Sequence, residues 1–344
     1  MQRHIPPHRR RRGVKIRKQT NMIKYLIIIL ISVLAVVLLF YNIQAAANTA
    51  VLESDKSLRG THKKSWVSPN AQAFNEHLEA TQTNHLIIVA GHSVIVAGNL
   101  EDAAYDENVW FLLDYQKSVG MPQAIVSHIR AGIAEAAKDP KSLLIFSGGE
   151  TRASTGPVTE GSSYFRVADA LDLWQGENIN DVPLVGRLAD GRTTVRARTI
   201  TEEFATDSFE NFMFSICRFK EITGSYPQKI TVVSFTFKRR RFQQLHAKAL
   251  HWPLNRFSYV GIDPLPSTGF DLAKSKAGEV QNAAKPFESD PYGCHSPILQ
   301  QKRKERNPFS RTPPYKLSCP DMSRLLDYCG PELFPSELPW DYLD

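Results

Sequence analysis

Between Tyr25 and Tyr41 the chain reads YLIIILISVLAVVLLFY, and no charged residue follows until Glu53. A run this long and apolar crosses a hydrocarbon core of roughly 30 Å as one helix. The residues before it include Arg3, Arg9, Arg10, Arg11, Arg12, Lys15, Arg17, Lys18 and Lys24 and not one acid. Cytoplasmic flanks carry the excess of Lys and Arg, and Tyr25 and Tyr41 stand where interfacial aromatics belong. The reading is a basic cytoplasmic tail over residues 1–24 and a single-pass signal anchor over residues 25–45, with the body in the lumen of the secretory pathway. The lipid bilayer is then an expected partner through residues 25–45.

Two other readings compete. Ala45-Ala46-Ala47 resembles a small-residue cleavage site, but the apolar run exceeds the roughly 7–15 residues of a signal-peptide core. The Arg-rich, acid-free tail also suits a mitochondrial presequence, so the mitochondrial inner membrane is the alternative location, although Pro6 and Pro7 break an amphipathic helix. No Asn-x-Ser/Thr sequon occurs, so glycosylation gives luminal placement no support. The formal charge of +7 belongs to the tail: nine of the 42 basic residues lie there, and the other 33 stand against 35 acidic ones. The body is slightly acidic, and nucleic acid is not an expected partner.

Residues 46–83 lack sustained periodicity and suit a stalk. From His85 the pattern changes. Leu86-Ile87-Ile88-Val89-Ala90, Leu143-Leu144-Ile145-Phe146, Ile230-Thr231-Val232-Val233 and, less cleanly, Phe257-Ser258-Tyr259-Val260 are short continuous apolar runs, the form of strands buried on both faces. Between them the period becomes helical. Ile125, Val126, Ile129 and Ile133 make one face; Val167, Ala170, Leu171 and Trp174 a second; Phe209, Phe212, Met213, Ile216 and Phe219 a third; Phe242, Leu245, Ala249 and Leu250 a fourth. Asp207 is the expected N-cap of the third helix, which stops at Gly224. This alternation predicts an α/β body, a Rossmann-like open parallel sheet with helices on both faces, over residues 84–265.

Residues 266–344 form a Pro-rich extension, with Pro286, Pro291, Pro297, Pro308, Pro313, Pro314 and Pro320. Tyr292, Phe309, Tyr315, Leu325, Leu326 and Trp340 are more anchors than a free linker needs, so the segment is expected to wrap the α/β body. Cys217, Cys294, Cys319 and Cys329 fit no zinc spacing, and no metal is expected. An oxidising lumen would permit one bridge among the last three, Cys319 with Cys329 closing the shortest loop; three free thiols are the alternative.

Ligands of an open parallel sheet bind outside the carboxyl ends of its strands. The residues there are polar: Gly91, His92 and Ser93; then Ser147-Gly148-Gly149-Glu150-Thr151-Arg152; then Ser234 and the Lys238-Arg239-Arg240-Arg241 run. Turn glycines are the bland explanation of the second set. The block Glu202-Glu203-Phe204-Ala205-Thr206-Asp207-Ser208-Phe209-Glu210-Asn211 carries more information, because capping explains Asp207 but not Glu202, Glu210 and Asn211 together.

These residues resemble the YdcF/SanA/ElyC-like family, a domain of unknown function. Its motifs are an apolar strand ending in glycine, a strand followed by Ser-Gly-Gly, a Ser-Glu-Ala opening a helix, a Glu…Ser…Thr-x-Glu-Asn block, and a strand followed by Ser-x-x-His-x-x-Arg. Val89-Ala90-Gly91, Ser147-Gly148-Gly149, Thr159-Glu160-Gly161, Glu202…Asp207-Ser208-Phe209-Glu210-Asn211 and Ser234-Phe235-Thr236-Phe237-Lys238-Arg239-Arg240 match them in the same order, over about residues 85–262. The resemblance implies a Rossmann-like fold and a polar cleft made by these motifs. Phe237 stands where the family has His and Ala205 where it often has Ser, so no role of that His carries over; His92 is the spatial substitute to examine.

The preferred function is an enzyme acting on a small anionic or nucleotide-like ligand, with His92, Glu160 or Glu202 handling a proton. Gly91, Ser147, Gly148, Gly149, Glu150, Thr151, Ser208, Asn211, Ser234 and Arg240 are the expected ligand-binding set, and Arg240 or Arg152 would pair the charge. The alternatives are a ligand-binding module without turnover and a structural luminal protein. No G-x-S-x-G, H-E-x-x-H, G-x-x-x-x-G-K-[ST] or G-x-G-x-x-G occurs, and the sequence points to no known cofactor.

The topology is open to a direct measurement. A tag placed after Asp344 should resist protease added to intact microsomal vesicles and be digested once detergent opens them; digestion without detergent would place the body on the cytoplasmic side.

Overall fold

The computed structural model describes residues 83–174 and 194–342. The basic tail, the apolar run at residues 25–41 and nearly all of the stalk lie outside the described residues. Among the described residues no helix is long and apolar enough to cross a membrane.

Five strands form one all-parallel sheet: β1 His85–Ala90, β2 Ser142–Ser147, β3 Thr199–Glu202, β4 Lys229–Ser234 and β5 Phe257–Gly261. Their order is β3-β2-β1-β4-β5, so the chain moves outward from β1 on one side and then crosses to β4 on the other. Register is fixed by the pairs Ile88 with Ile145 and Ile88 with Val232. Every residue of β1 and β2 is buried, as the continuous apolar runs predict for strands covered on both faces. The sequence reading had no counterpart for β3: Thr-Ile-Thr-Glu is four residues long, carries one large apolar side chain and lies at the sheet edge.

Alternate strand residues divide the interior into two cores. Ile87, Val89, Leu144 and Phe146 pack against α1 Met121–Lys138 and α2 Glu160–Ala170. Leu86, Ile88, Leu143, Ile145, Ile230 and Val232 pack against α3 Ser208–Thr223 and the helical segment Arg241–His246 with its continuation Ala247–Ala249. Two crossovers on each face make the sheet doubly wound. Asp207 caps α3, its carboxylate accepting from the amides of Phe209 and Glu210 at 2.9 and 3.0 Å, and Gly224 ends the helix with φ +72°.

The Pro-rich segment belongs to the same core. After α4 Leu272–Glu279, which continues through Val280–Ala284 and Lys285–Ser289, comes α5 Pro297–Glu305. Tyr292, Leu299, Tyr315, Met322, Leu325, Leu338 and Trp340 are buried on the α3 side of the sheet. Tyr292 Oη donates to Ala249 O at 3.0 Å and Trp340 Nε1 to Leu250 O at 2.8 Å. Phe309, counted as an anchor from the sequence, is instead exposed. The disulfide joins Cys294 to Cys329, not Cys319 to Cys329. Loop length was the wrong guide, because Cys319 is buried in the same core as Cys217 and takes Tyr226 Oη at 3.4 Å.

The packing of α1 on the sheet rests on a missing side chain. A Cβ at Gly132 would stand 2.3 Å from Val89 Cγ2 and 3.2 Å from Leu144 Cδ1, so the helix approaches the two central strands only because this position is glycine. Gly132→Val should lower the unfolding free energy by about 1–3 kcal/mol in a denaturant titration; an unchanged midpoint would refute that close approach.

Candidate functional site

The carboxyl ends of β1 and β4 adjoin where the strand order reverses, the position at which such sheets open a cleft. Two groups of polar residues occupy this edge.

The first is built round His92, directly after β1. Its Nε2 lies 3.2 Å from Ser234 Oγ and its Nδ1 3.2 Å from Lys238 Nζ, while its ring stacks on Phe235 at 4.4 Å. Burial, reinforced by Lys238 and His128, holds the imidazole well below its usual range, so it is neutral. The Lys238 amine donates to Nδ1, leaving the proton on Nε2 to be given to Ser234. Burial lowers Lys238 as well, and Arg241 and Arg306 lower it further. His128 meets His92 edge-on at 5.3 Å, bonds Ile262 O through Nε2 at 2.8 Å and is pushed down to about 4 by burial. Phe237 does not enter this network; it stacks on Phe235 at 5.0 Å and on Phe270 at 6.2 Å. His92 therefore lies beside the strand-end serine, on the aromatic stack that contains Phe237.

Glu160 stands next to this group. It opens α2 after the cap Thr159, is buried, accepts from Thr151 Oγ1 at 2.6 Å and interacts electrostatically with Lys238 and Arg152. A Cβ at Gly91 or Gly148 would come within 2.6 Å of Glu160 Oε2, and Gly148 has φ +155°. These glycines make room for a carboxylate of the protein, where the sequence reading placed a ligand. The amides of Gly148 and Gly149 are likewise spent within the chain, donating to Glu202 O at 2.9 Å and Ala205 O at 2.8 Å.

The second group lies at β2 and β3. Glu202, only 1% exposed, lies 2.8 Å from Ser147 Oγ and accepts from Tyr315 Oη at 3.0 Å, Phe204 N at 2.8 Å and Ala205 N at 3.3 Å. Ser147 Oγ is also 2.9 Å from Asn211 Oδ1. One hydroxyl proton cannot serve both acceptors; a neutral Glu202 that donates to Ser147 Oγ, which then donates to Asn211, satisfies all three. Burial pushes the Glu202 carboxyl up to about 7 despite its hydrogen bonds, in accord with that proton. Glu202, Ser147 and Asn211 were expected at a solvent-filled rim, but Tyr315 of the C-terminal segment covers them. Glu150 is buried and ion-paired with Arg311 of the same segment.

The remaining expected residues divide. Ser208 lies 2.8 Å from Nε2 of the fully buried His246. Arg240 is misplaced: it is exposed and pairs with Glu288. Its neighbour Arg241 turns inward instead, 7% exposed, with Nε 3.5 Å from Glu279 and no hydrogen-bond partner among the described residues. Lys302, Arg303 and Arg306, also missed from the sequence, come from α5 and the residue just after it. Lys302 Nζ donates to Asn282 O at 2.8 Å and Arg306 to Thr206 O at 3.2 Å, while Arg303 binds Asp207 at 2.7 Å. Arg152 holds its guanidinium 5.5 Å from the Phe111 ring, its buried Nε lacking a partner.

No family model matches the chain, and no solved structure matches it. It is 36% identical over 198 residues to an uncharacterised protein of Saccharomyces cerevisiae, YOR238W. The match takes in 51% of this chain and 65% of that protein's length.

Glu202 gives a pH-dependent stability with a definite sign. Its folded pKa lies above the ordinary carboxylate value of 4.5, so the folded protein holds a proton that the unfolded chain has lost. The stabilisation is complete below pH 4.5 and is lost as pH rises through about 7, by about 3 kcal/mol in all. Glu202→Gln keeps the hydrogen bonds of the neutral acid and should remove this component; thermal melts of both proteins from pH 4.5 to 8 should converge at the acid end and diverge in favour of the variant above 7. Parallel curves would mean that Glu202 is ionised when buried.

Proposed function

We propose that the chain is a membrane-anchored protein whose luminal α/β body is an enzyme acting on an anionic, nucleotide-like small molecule. The observation that carries this reading is Arg241: a guanidinium almost wholly removed from water, its Nε held only by a 3.5 Å ion pair with Glu279 and without a hydrogen bond among the described residues, beside further cations at the strand-order switch point. Buried cations without full partners are costly unless an anion completes them. His92 and Glu160 adjoin these cations and are the proton-handling groups. Glu202 sits beneath Tyr315 and serves to hold the β2 and β3 ends together. The order of five sequence motifs supports a YdcF-like domain, and the Cys294–Cys329 disulfide supports an oxidising compartment such as the secretory lumen.

A ligand-binding module without turnover is the second reading. It is favoured by the burial of Glu202 and Asn211, which leaves fewer groups free for chemistry.

Lys238→Met combined with Arg241→Met should weaken binding of a phosphate ester such as AMP by about 100-fold or more in a calorimetric titration, each lost charged contact costing about 1.5–3 kcal/mol, while the melting temperature holds or rises. A double variant that binds as the wild type does would remove the anion site. His92→Gln separates the two readings: an enzyme keeps its affinity and loses turnover of the bound ester, whereas a binding module shows no turnover in either protein.

A further inference from the structure

The cations at the cleft come from two separate parts of the chain. Lys238 and Arg241 follow β4, three residues apart, on the side of the helical turn that also buries Phe242 and His246. Lys302 and Arg306 lie on the C-terminal segment, four residues apart, on the side of α5 that buries Leu299. Their bonds to Asn282 O and Thr206 O anchor that segment both to the stretch after α4 and to the loop between β3 and α3. Arg241 and Arg306 each lie within electrostatic reach of both Lys238 and Lys302, and Arg306 also of Arg152. Arg241 pairs with Glu279 at 3.5 Å and Lys302 bonds Asn282 three residues further on, so the two pairs meet at the same stretch of chain.

The local charges do not balance. Arg152, Lys238, Arg241, Lys302, Arg303 and Arg306 are answered by Glu160, Glu279, Asp207, Glu210 and Asp290. Asp207 and Glu210 are both drawn onto Arg303, at 2.7 and 3.4 Å, and burial keeps Glu210 toward its neutral form. The surplus is about one to two positive charges, which a bound anion offsets. Two linked phosphoryl groups match the two pairs, one pair to each, and Arg152 Nε, without a hydrogen bond among the described residues, is a further donor.

We propose that the site takes a diphosphate group held jointly by Lys238 and Arg241 of the α/β body and Lys302 and Arg306 of the C-terminal segment. This rests on the anion-binding reading given above and adds to it the ligand class and the second half of the site. The C-terminal wrap is then part of the binding machinery, held near its cations by the Cys294–Cys329 disulfide. Proton uptake is the expected signature of binding there. Lys302, which faces Arg306, Arg241, Asp207 and Glu279, is pushed down to about 8 by burial and its cationic neighbours; Lys238, which faces His92, Arg241, Arg306, Glu160 and Glu279, is lowered for the same reason. An arriving anion raises both, so binding near pH 8 should draw protons from the buffer.

The test is calorimetric titration of the full chain in detergent with inorganic phosphate, pyrophosphate and ADP. The wild type should bind pyrophosphate or ADP at least tenfold more tightly than phosphate, with a binding enthalpy at pH 8 that scales with buffer ionisation enthalpy. A tighter ADP identifies an organic diphosphate and a tighter pyrophosphate the inorganic ion. Lys302→Ala with Arg306→Ala should abolish the preference, weakening pyrophosphate and ADP at least tenfold more than phosphate, whereas Lys302→Arg with Arg306→Lys, which keeps both charges, should retain it and so controls for folding. Equal affinities for all three anions, or a preference that survives the double alanine variant, would overturn the diphosphate assignment and leave the anion site standing. No binding of any anion by the wild type would overturn both.

Discussion

Two carboxylates buried at the carboxyl edge of the sheet constrain most of what surrounds them. A carboxyl group removed from water must be given donors or a proton, or it costs several kcal/mol. Glu202 receives Ser147, Tyr315 and two loop amides, and those partners tie together the end of β2, the end of β3, the loop leading to α3 and the C-terminal segment. Glu160 receives Thr151 and the field of Lys238 and Arg152, and its bulk requires that Gly91 and Gly148 have no side chain. Gly148 admits this acid and Gly149 the backbone of Phe204 and Ala205, and the amides of both donate to carbonyls of the chain itself.

This arrangement assigns different work to the two ends of the edge. At β2 and β3 every strong donor found near Glu202 is internal, Tyr315 closes the group from outside, and the outcome is cohesion. At β1 and β4 the balance is reversed: cations outnumber the acids beside them, and the Nε atoms of Arg241 and Arg152 are without a hydrogen bond among the described residues. Cohesion needs polar groups satisfied by one another, and recognition needs some left over. Among the cations the second condition holds on the His92 and Lys238 side, which is where the proposed anion would sit.

The central strands were legible because burial on both faces leaves no polar position to disguise the run. Helix α3 was legible through its apolar spacing and through Asp207 and Gly224 at its ends, each with its own local reason. Strand β3 was hidden, since a four-residue edge strand has room for neither a continuous apolar run nor a clear alternation. The roles of Glu202 and Asn211 were misjudged for a nonlocal cause: what covers them is Tyr315, more than a hundred residues downstream, and no local pattern announces that contact. Arg241 was a different kind of miss. The face read from Phe242, Leu245 and Ala249, extended backward by helical steps of three and four, passes through Arg241 and Lys238 and excludes Arg240; the phase was present in the sequence and only the charge run obscured it. Leu299, Lys302, Arg303 and Arg306 repeat that spacing on α5.

His92 ties these threads together. Where the resembling family carries a histidine after β4, this chain has Phe237, and the aromatic ring continues a stack through Phe235 to the imidazole of His92. An imidazole supplied from the β1 loop thus meets Ser234 at the end of β4 from the neighbouring strand. Its neutrality follows from burial beside Lys238, and the hydrogen bond from that amine fixes which nitrogen carries the proton. The ring then joins a lysine of lowered basicity to a strand-end serine, with Arg241 and Arg306 close enough to oppose any positive charge on it. An anion bound to those cations would relieve that opposition, so ligand charge and imidazole basicity are coupled through the same few residues.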